Sequence, residues 1–266
     1  MNTDLILTAL KAAQKGQNYA LATIVESSIK GTPRKTGSKM LVLNDGTIYG
    51  SIGGGKAEKI AQEACLNALK TKKAKCLSLE FHGKEAISVC GGEIKVFIEP
   101  IITPKHLIIC GAGHIGLPLS ISAKMLNYKV TIIDNRKQFA NKKRFPHVDK
   151  IHALNHVEAL KKVKIDPNTF IMILTHEHEF DFVCLEQALK SNAGYIGVIS
   201  SIKKRKLFFE KLRKKGFTSK TLKRITMPAG IDIGAQTPAE IAFSIISQLV
   251  SAENKESCGS KKFKTS

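Results

Sequence analysis

Gly111, Gly113 and Gly116 fall in the order G-x-G-x-x-G within the run Cys110-Gly-Ala-Gly-His-Ile-Gly116, and no other feature of the chain narrows its fold as much. Leu107–Cys110 before it is apolar, Leu117–Leu126 after it reads as helix, and a second apolar run, Val130–Ile133, ends in Asp134, 18 residues past Gly116. Strand, tight turn, helix, strand and acid are the setting of a dinucleotide-binding βαβ unit; the alternative is a Rossmann domain that has lost or changed its ligand. Gly111 allows the turn, Gly113 lets a pyrophosphate approach the backbone, and Gly116 lets the helix lie close to the strand. The phosphates would rest on the helix N-terminus, where free N–H groups and the macrodipole favour anions; His114 lies in that turn. Asp134 would accept a ribose hydroxyl and so favour NAD, while Arg136 leaves NADP open.

The same alternation continues. Phe170–Thr175 and Tyr195–Ser200 read as buried parallel strands, each followed by a helix, at Phe182–Lys190 and Lys203–Lys215. Thr237-Pro238-Ala239-Glu240 is a capping box with proline in the first turn of a final helix. Residues 104–252 therefore predict a Rossmann-like, doubly wound parallel sheet. Residues 1–103 predict a smaller α/β domain. It has a helix at Asp4–Lys15, strands at Tyr19–Ser27 and Lys39–Leu43, a hairpin turn at Asn44-Asp45-Gly46 with a return strand Thr47–Ile52, a helix at Ala57–Leu69, and strands at Lys75–Phe81 and Glu93–Glu99. Pro100–Pro104 reads as the linker. Residues 253–266 read as a basic disordered tail.

Composition removes several function classes. No apolar run reaches the ~18 residues of a membrane span, and Met1–Leu10 lacks the early positive cluster of a signal peptide, so a cytoplasmic protein without membrane association is expected. The six cysteines (65, 76, 90, 110, 184 and 258) form no C-x-x-C pair, which argues against a disulfide framework or a zinc ribbon. The formal net charge of +20 invites nucleic acid. Yet of 42 basic residues only Arg34, Arg136, Arg144, Arg205, Arg213 and Arg224 are arginine, and aromatics are 6% with no tryptophan. Nucleic-acid readers lean on both, so lysines on solvated faces are the simpler account and no nucleic-acid partner is expected.

Further residues invite chemistry. Gly53-Gly54-Gly55 before a helix forms a second anion nest, and Arg34 could add a bidentate phosphate donor if its loop folds back; the alternative is a turn needed for chain geometry. Cys90, beside Gly91-Gly92, is either a thiolate that ligates a soft metal or relays sulfur, or a small buried hydrophobe. His176, His178 and Asp181 follow a strand end where open α/β sheets bind ligands. Contact with a cofactor is weighed there against a metal site and a solvated loop, and no metal site is expected. Asp232, in the loop Pro228–Gly234, either contacts a ligand or orders the loop by accepting backbone N–H groups.

Together the motifs resemble the XdhC/CoxI family. The resemblance rests on Ala22-Thr23-Ile24-Val25, Gly31-Thr32-Pro33-Arg34, Gly37-Ser38-Lys39-Met40, Gly50-Ser51-Ile52-Gly53-Gly54-Gly55 with Glu58, and Cys90-Gly91-Gly92. It continues through the glycine motif, Thr175-His176-Glu177-His178, Pro228–Gly234 and Thr237–Ala242. One departure is Ser200-Ser201, where a Gly-Ser pair is typical. The resemblance implies an accessory factor that binds molybdenum cofactor as cargo and assists its sulfuration and insertion into a molybdenum hydroxylase such as xanthine dehydrogenase. It implies a cysteine desulfurase as a further partner, a homodimer, and a chaperone more than a turnover enzyme. Arg34, the two glycine motifs, Cys90, His176, His178 and Asp232 would be the contacts. The reading from the Rossmann motif alone is an NAD(P)-dependent oxidoreductase.

Overall fold

The computed structural model describes residues 3–28, 34–80 and 92–254. The chain divides into two compact units, Met1–Thr103 and Pro104–Ser266.

In the first unit, α1 (Thr3–Gln14) leads into β1 (Tyr19–Ser27), β2 (Lys39–Leu43) and β3 (Ile48–Gly50). There follow α2 (Gly55–Thr71), β4 (Lys75–Glu80) and β5 (Glu93–Ile101). The five strands form an antiparallel sheet in the order β3-β2-β1-β5-β4. Alternate residues of β1 and β5, Ala20, Ala22, Ile24, Val96 and Ile98, bury one face. Against that face α2 sets Ala57, Ala61, Ala64, Cys65 and Ala68, a row of small side chains that lets the helix lie close. The other face packs Leu41 and Leu43 under Leu5 and Ala12 of α1. The strand β5 runs two residues into the expected linker: Pro100 pairs with Ala20 and Ile101 with Tyr19. Pairing of β4 with β5 ends at Ile98, so the missing N–H of Pro100 costs no ladder bond on that side.

The second unit contains β6 (His106–Cys110), α3 (Gly116–Met125), β7 (Lys129–Ile133), β8 (Lys150–His152), α4 (His156–Lys162), β9 (Thr169–Ile173) and α5 (His178–Leu189). Next come β10 (Tyr195–Val198), α6 (Ile202–Lys214), α7 (Ser219–Leu222), β11 (Ile225–Thr226) and α8 (Pro238–Glu253). All six strands are parallel, in the order β11-β10-β9-β6-β7-β8. The order reverses between β6 and β9, the switch point at which such sheets open a ligand crevice. Side chains alternate between two cores. Ile108, Ile171, Ile173 and Val198 meet Ala159 of α4, Cys184 of α5 and Phe208 of α6. Leu107, Ile109 and Met172 meet Leu119 of α3 and Ile245 of α8. Helices on both faces explain why the central strands read as unbroken apolar runs.

Two local devices fix the ends of elements. The capping box forms: Glu240 N–H donates to Thr237 Oγ1, and Glu240 accepts the Thr237 N–H at 3.0 Å. At the turn between α5 and β10, Arg224 donates to three carbonyls, those of Leu189 (3.1 Å), Ser191 (2.8 Å) and Ala193 (3.0 Å). Among the described residues no helix is long and apolar enough to cross a membrane.

His106 opens β6 with its Nε2 2.8 Å from Thr131 Oγ1. Burial, helped by Lys129, lowers its pKa to about 4. Unfolded, this ring takes a proton near pH 6.5; folded, only near 4. Between those values the unfolded state holds more protons, so stability is lost as the pH falls. Chemical denaturation of the wild type from pH 7 to pH 4 is expected to show this decline. In His106→Gln, which keeps a partner for Thr131, the slope should be shallower by at most about 1.4 kcal/mol per pH unit. Equal slopes would remove His106 from the account.

Candidate functional site

Because the strands are parallel, their carboxyl ends gather at one edge, and the segments leaving β6, β7, β9 and β10 all begin there. The turn after β6 is shaped by close contacts. A Cβ on Gly111, whose φ is +130°, would lie 2.2 Å from the Leu174 carbonyl oxygen, and one on Gly116 would lie 2.2 Å from that of Gly111. A Cβ on Gly113 would meet nothing within 4 Å. The first and third glycines therefore serve the fold, while the second borders open space where a ligand would approach. His114 beside it is exposed.

The acid at the end of β7 is fully buried. Its Oδ2 accepts the Ala112 N–H at 2.8 Å and Arg136 Nη2 at 2.8 Å; its Oδ1 accepts the Arg136 N–H and Nε, both at 2.9 Å. Burial opposes ionisation of Asp134, but these donors outweigh it and hold the pKa at about 2. The carboxylate expected to accept a ribose hydroxyl is thus engaged by its own chain.

The segment after β9 is helical earlier than its sequence suggests: α5 begins at His178, so His178 and Asp181 lie in a first helical turn and only His176 and Glu177 precede it. Asp181 explains this. Its Oδ1 accepts the Thr175 N–H (3.0 Å) and Thr175 Oγ1 (2.6 Å), folding the strand end onto the helix start. Acidic side chains also suit that end of the dipole. Asp181 Oδ2 takes Lys204 Nζ of α6 at 2.6 Å, and the same ammonium lies 2.7 Å from His178 Nδ1. An ammonium can only donate, so His178 Nδ1 accepts and a neutral ring keeps its proton on Nε2. These three residues line a cavity of about 630 Å³ with Thr175, His176, Ser200, Ser201 and Lys203. His176 instead pairs with Glu177 at 3.1 Å. Among the described residues no cluster of three or more His, Cys, Asp or Glu is arranged to hold a metal.

His156, at the start of α4, is buried with neither ring nitrogen hydrogen-bonded among the described residues. It stacks on Phe180 at 5.2 Å, which also meets His176 at 5.5 Å, and burial lowers its pKa. Lys204, which lines the cavity, was not legible as a site residue because it sits in a run of surface lysines.

In the first unit, Gly53, Gly54 and Gly55 all take positive φ, at 145°, 80° and 60°. The nest they form is partly filled by the chain itself, since Glu58 Oε1 accepts the N–H of Gly54 (3.0 Å) and of Ile52 (3.3 Å). Arg34 lines a separate cavity of about 610 Å³ with Asp4, Lys39, Tyr49 and Ser51. Asp232 accepts the Gly234 N–H at 3.3 Å, the loop-ordering contact. Cys90 lies outside the described residues. Burial pushes the Cys65 thiol up to about 12, and a hydrogen bond with Cys110, added to burial, pushes Cys184 far up, so neither is a thiolate at neutral pH.

The XdhC Rossmann domain matches residues 107–249, and the XdhC and CoxI family matches residues 12–81. YqeB of Escherichia coli K12, an uncharacterised protein, is 30% identical over 259 residues, covering 94% of this chain and 46% of its own. A Bacillus subtilis protein, named as a probable subunit of xanthine dehydrogenase, is 26% identical over 161 residues, 60% of this chain and 46% of its own. This chain thus spans about half the length of those two relatives. The molybdenum cofactor insertion chaperone PaoD of Escherichia coli K12 is 21% identical over 290 residues, 94% of this chain and 89% of its own. A crystal structure of a Bacillus halodurans protein described as a xanthine dehydrogenase shares the fold, with TM-score 0.53 and 21% identity over 97% of this chain and 98% of that one.

Two substitutions separate the glycines the fold needs from the one it does not. Gly113→Ala should leave the melting temperature within about 2 °C, whereas Gly111→Ala should cost on the order of 1–3 kcal/mol or more, as strained overpacking does. Lys204→Met strands a buried carboxylate and should cost about 3–5 kcal/mol by urea unfolding, of which Asp181→Asn in the same chain restores a part.

Proposed function

Because this chain belongs to the XdhC and CoxI family, we propose that it is a maturation factor that binds molybdenum cofactor as cargo, assists its sulfuration, and hands it to a molybdenum hydroxylase. The observation that carries this reading is that both family matches fall in order along the chain, one in each compact unit. A relative named as a molybdenum cofactor insertion chaperone aligns over 94% of the chain and supports it. The chemistry is suitable. The cofactor is an anionic, phosphate-bearing heteroaromatic molecule. The cavity at the sheet edge offers Lys203, the His178 ring and the start of α6, and the cavity in the first unit offers Arg34 and Lys39. Cys90 is the proposed sulfur contact, as a soft thiolate suited to the metal. A cysteine desulfurase as sulfur source and a homodimer as the working form belong to the same proposal.

A second reading has one observation in its favour. The Asp181–Lys204–His178 set places a fixed imidazole donor in the sheet-edge cavity, as an NAD(P)-dependent oxidoreductase would need. Steady-state consumption of NADH or NADPH with carbonyl substrates would establish it, and no turnover by a chain that binds the dinucleotide would dismiss it.

The purified chain, mixed anaerobically with cofactor released from a donor protein, is expected to retain it through gel filtration and to raise the activity of an apo molybdenum hydroxylase. Cys90→Ala should weaken retention about tenfold, or ~1.4 kcal/mol, with unchanged circular dichroism. Failure of the wild type to retain the cofactor would sink the reading; equal retention by Cys90→Ala would leave Cys90 a structural thiol.

A further inference from the structure

A carboxylate offers about four lone-pair sites, and at Asp134 all four are taken, by Ala112 N–H and by three donors of Arg136. None is left for the vicinal hydroxyls of a ribose. A dinucleotide held by its ribose diol therefore does not fit the donor set at the end of β7.

The same contacts orient Arg136. Of its five side-chain N–H donors, Nε and one on Nη2 go to Asp134, leaving three. Its guanidinium lies 4.2 Å from the Phe139 ring centroid, and that of Arg144 lies 5.4 Å from the same ring. Arg144 Nη2 reaches the Gly113 carbonyl at 3.5 Å, beside the one glycine of the motif that borders open space. Arg144 Nε is buried without a hydrogen-bond partner among the described residues. The segment from Asn135 to Arg144 carries Arg136, Lys137, Lys142, Lys143 and Arg144 and no acid. The buried Asp134 carboxylate pairs with Arg136, the exposed Glu177 also adds negative charge near that guanidinium, and Arg144 has no carboxylate partner among the described residues. Guanidinium groups match the oxygens of a phosphate bidentately. Both meet the Phe139 ring, and Arg136 stands two residues past the strand-end acid, where this fold lays the adenosine ribose and where an arginine accommodates a 2′-phosphate.

We propose that the Rossmann unit binds a dinucleotide through a 2′-phosphate gripped by Arg136 and Arg144, and discriminates against one with a free ribose diol. This goes beyond the cargo reading and does not depend on it. A phosphomonoester elsewhere, free in solution or at the end of a pterin, presents the same dianion, so the test separates these sources.

Calorimetry on the whole chain with NADP, NAD, adenosine 2′,5′-bisphosphate and inorganic phosphate decides it. NADP is expected to bind at least about tenfold more tightly than NAD, the bisphosphate to displace it, and inorganic phosphate at the same concentration to leave it bound; tenfold corresponds to about 1.4 kcal/mol. Arg144→Gln, which strands no buried carboxylate, should erase that preference by weakening NADP alone. Arg136→Ala should weaken NADP and strengthen NAD, because it frees Asp134. Equal affinity for NAD and NADP, no binding of either at millimolar concentration, or displacement of NADP by inorganic phosphate at the same concentration would each overturn the proposal. Retention of molybdenum cofactor, measured on the same preparation, keeps the two ideas apart. Retention without nucleotide discrimination overturns this inference alone, and discrimination without retention overturns only the cargo reading.

Discussion

Two backbone contacts set the geometry of the second unit. The α-carbon of Gly111 presses on the Leu174 carbonyl just past β9, and that of Gly116 on the carbonyl of Gly111, each at a spacing that admits no side chain. Together they hold the start of α3 against the two strands at which the sheet order reverses. Asp134 then ties the next strand to the same turn through the Ala112 N–H. Substituting either glycine would move the start of the helix, the strand end and the carboxylate together, because interiors are too densely packed to absorb an extra carbon locally.

Both glycine-rich turns share a second property. In each, the chain supplies its own charge to the polar groups of the turn. Glu58 accepts N–H groups of the Gly53–Gly55 nest, and Asp134 accepts one from the turn after β6 while holding an arginine beside it. A nest of N–H groups shielded from water is costly unless something accepts from it. At the first turn the occupant is an anion, which a phosphate would have to displace or sit beside. At the second the buried acid and its arginine balance in charge, and the arginine is held in one orientation beside the turn. Identical sequence logic thus yields two sites of different electrostatic character.

The fold was largely legible in the sequence because its signals are local. Apolar runs such as Ile108–Cys110 and Phe170–Ile173 announce buried parallel strands, and Thr237 to Glu240 announces a cap. What escaped was short or depended on distant partners. The strand β8 has three residues, two of them polar, and β11 has two. Pro100 reads as a linker because proline breaks ladders; it is tolerated because β4 has already ended. At the site, the positions of the glycines and of Asp134 were readable, but not that Asp134 is saturated, since that depends on how one arginine side chain folds back. Lys204 lies 23 residues from Asp181 and meets it only through adjacent strands. No spacing rule encodes such a pair.

Arg224 has a consequence of its own. A lysine ammonium is a compact point charge, whereas a guanidinium is a rigid plane able to address several oxygens at once. In a chain that uses lysine for most of its cations, one of its few arginines is spent on the carbonyls of Leu189, Ser191 and Ala193. That clamp fixes where the chain turns from α5 into β10, and so the phase at which β10 enters the sheet. Just past Val198 the strand delivers Ser200 and Ser201 to the cavity edge. The far end of the strand therefore acts as a datum for the near one: the position of the serines is referenced to a corner outside the cavity they line.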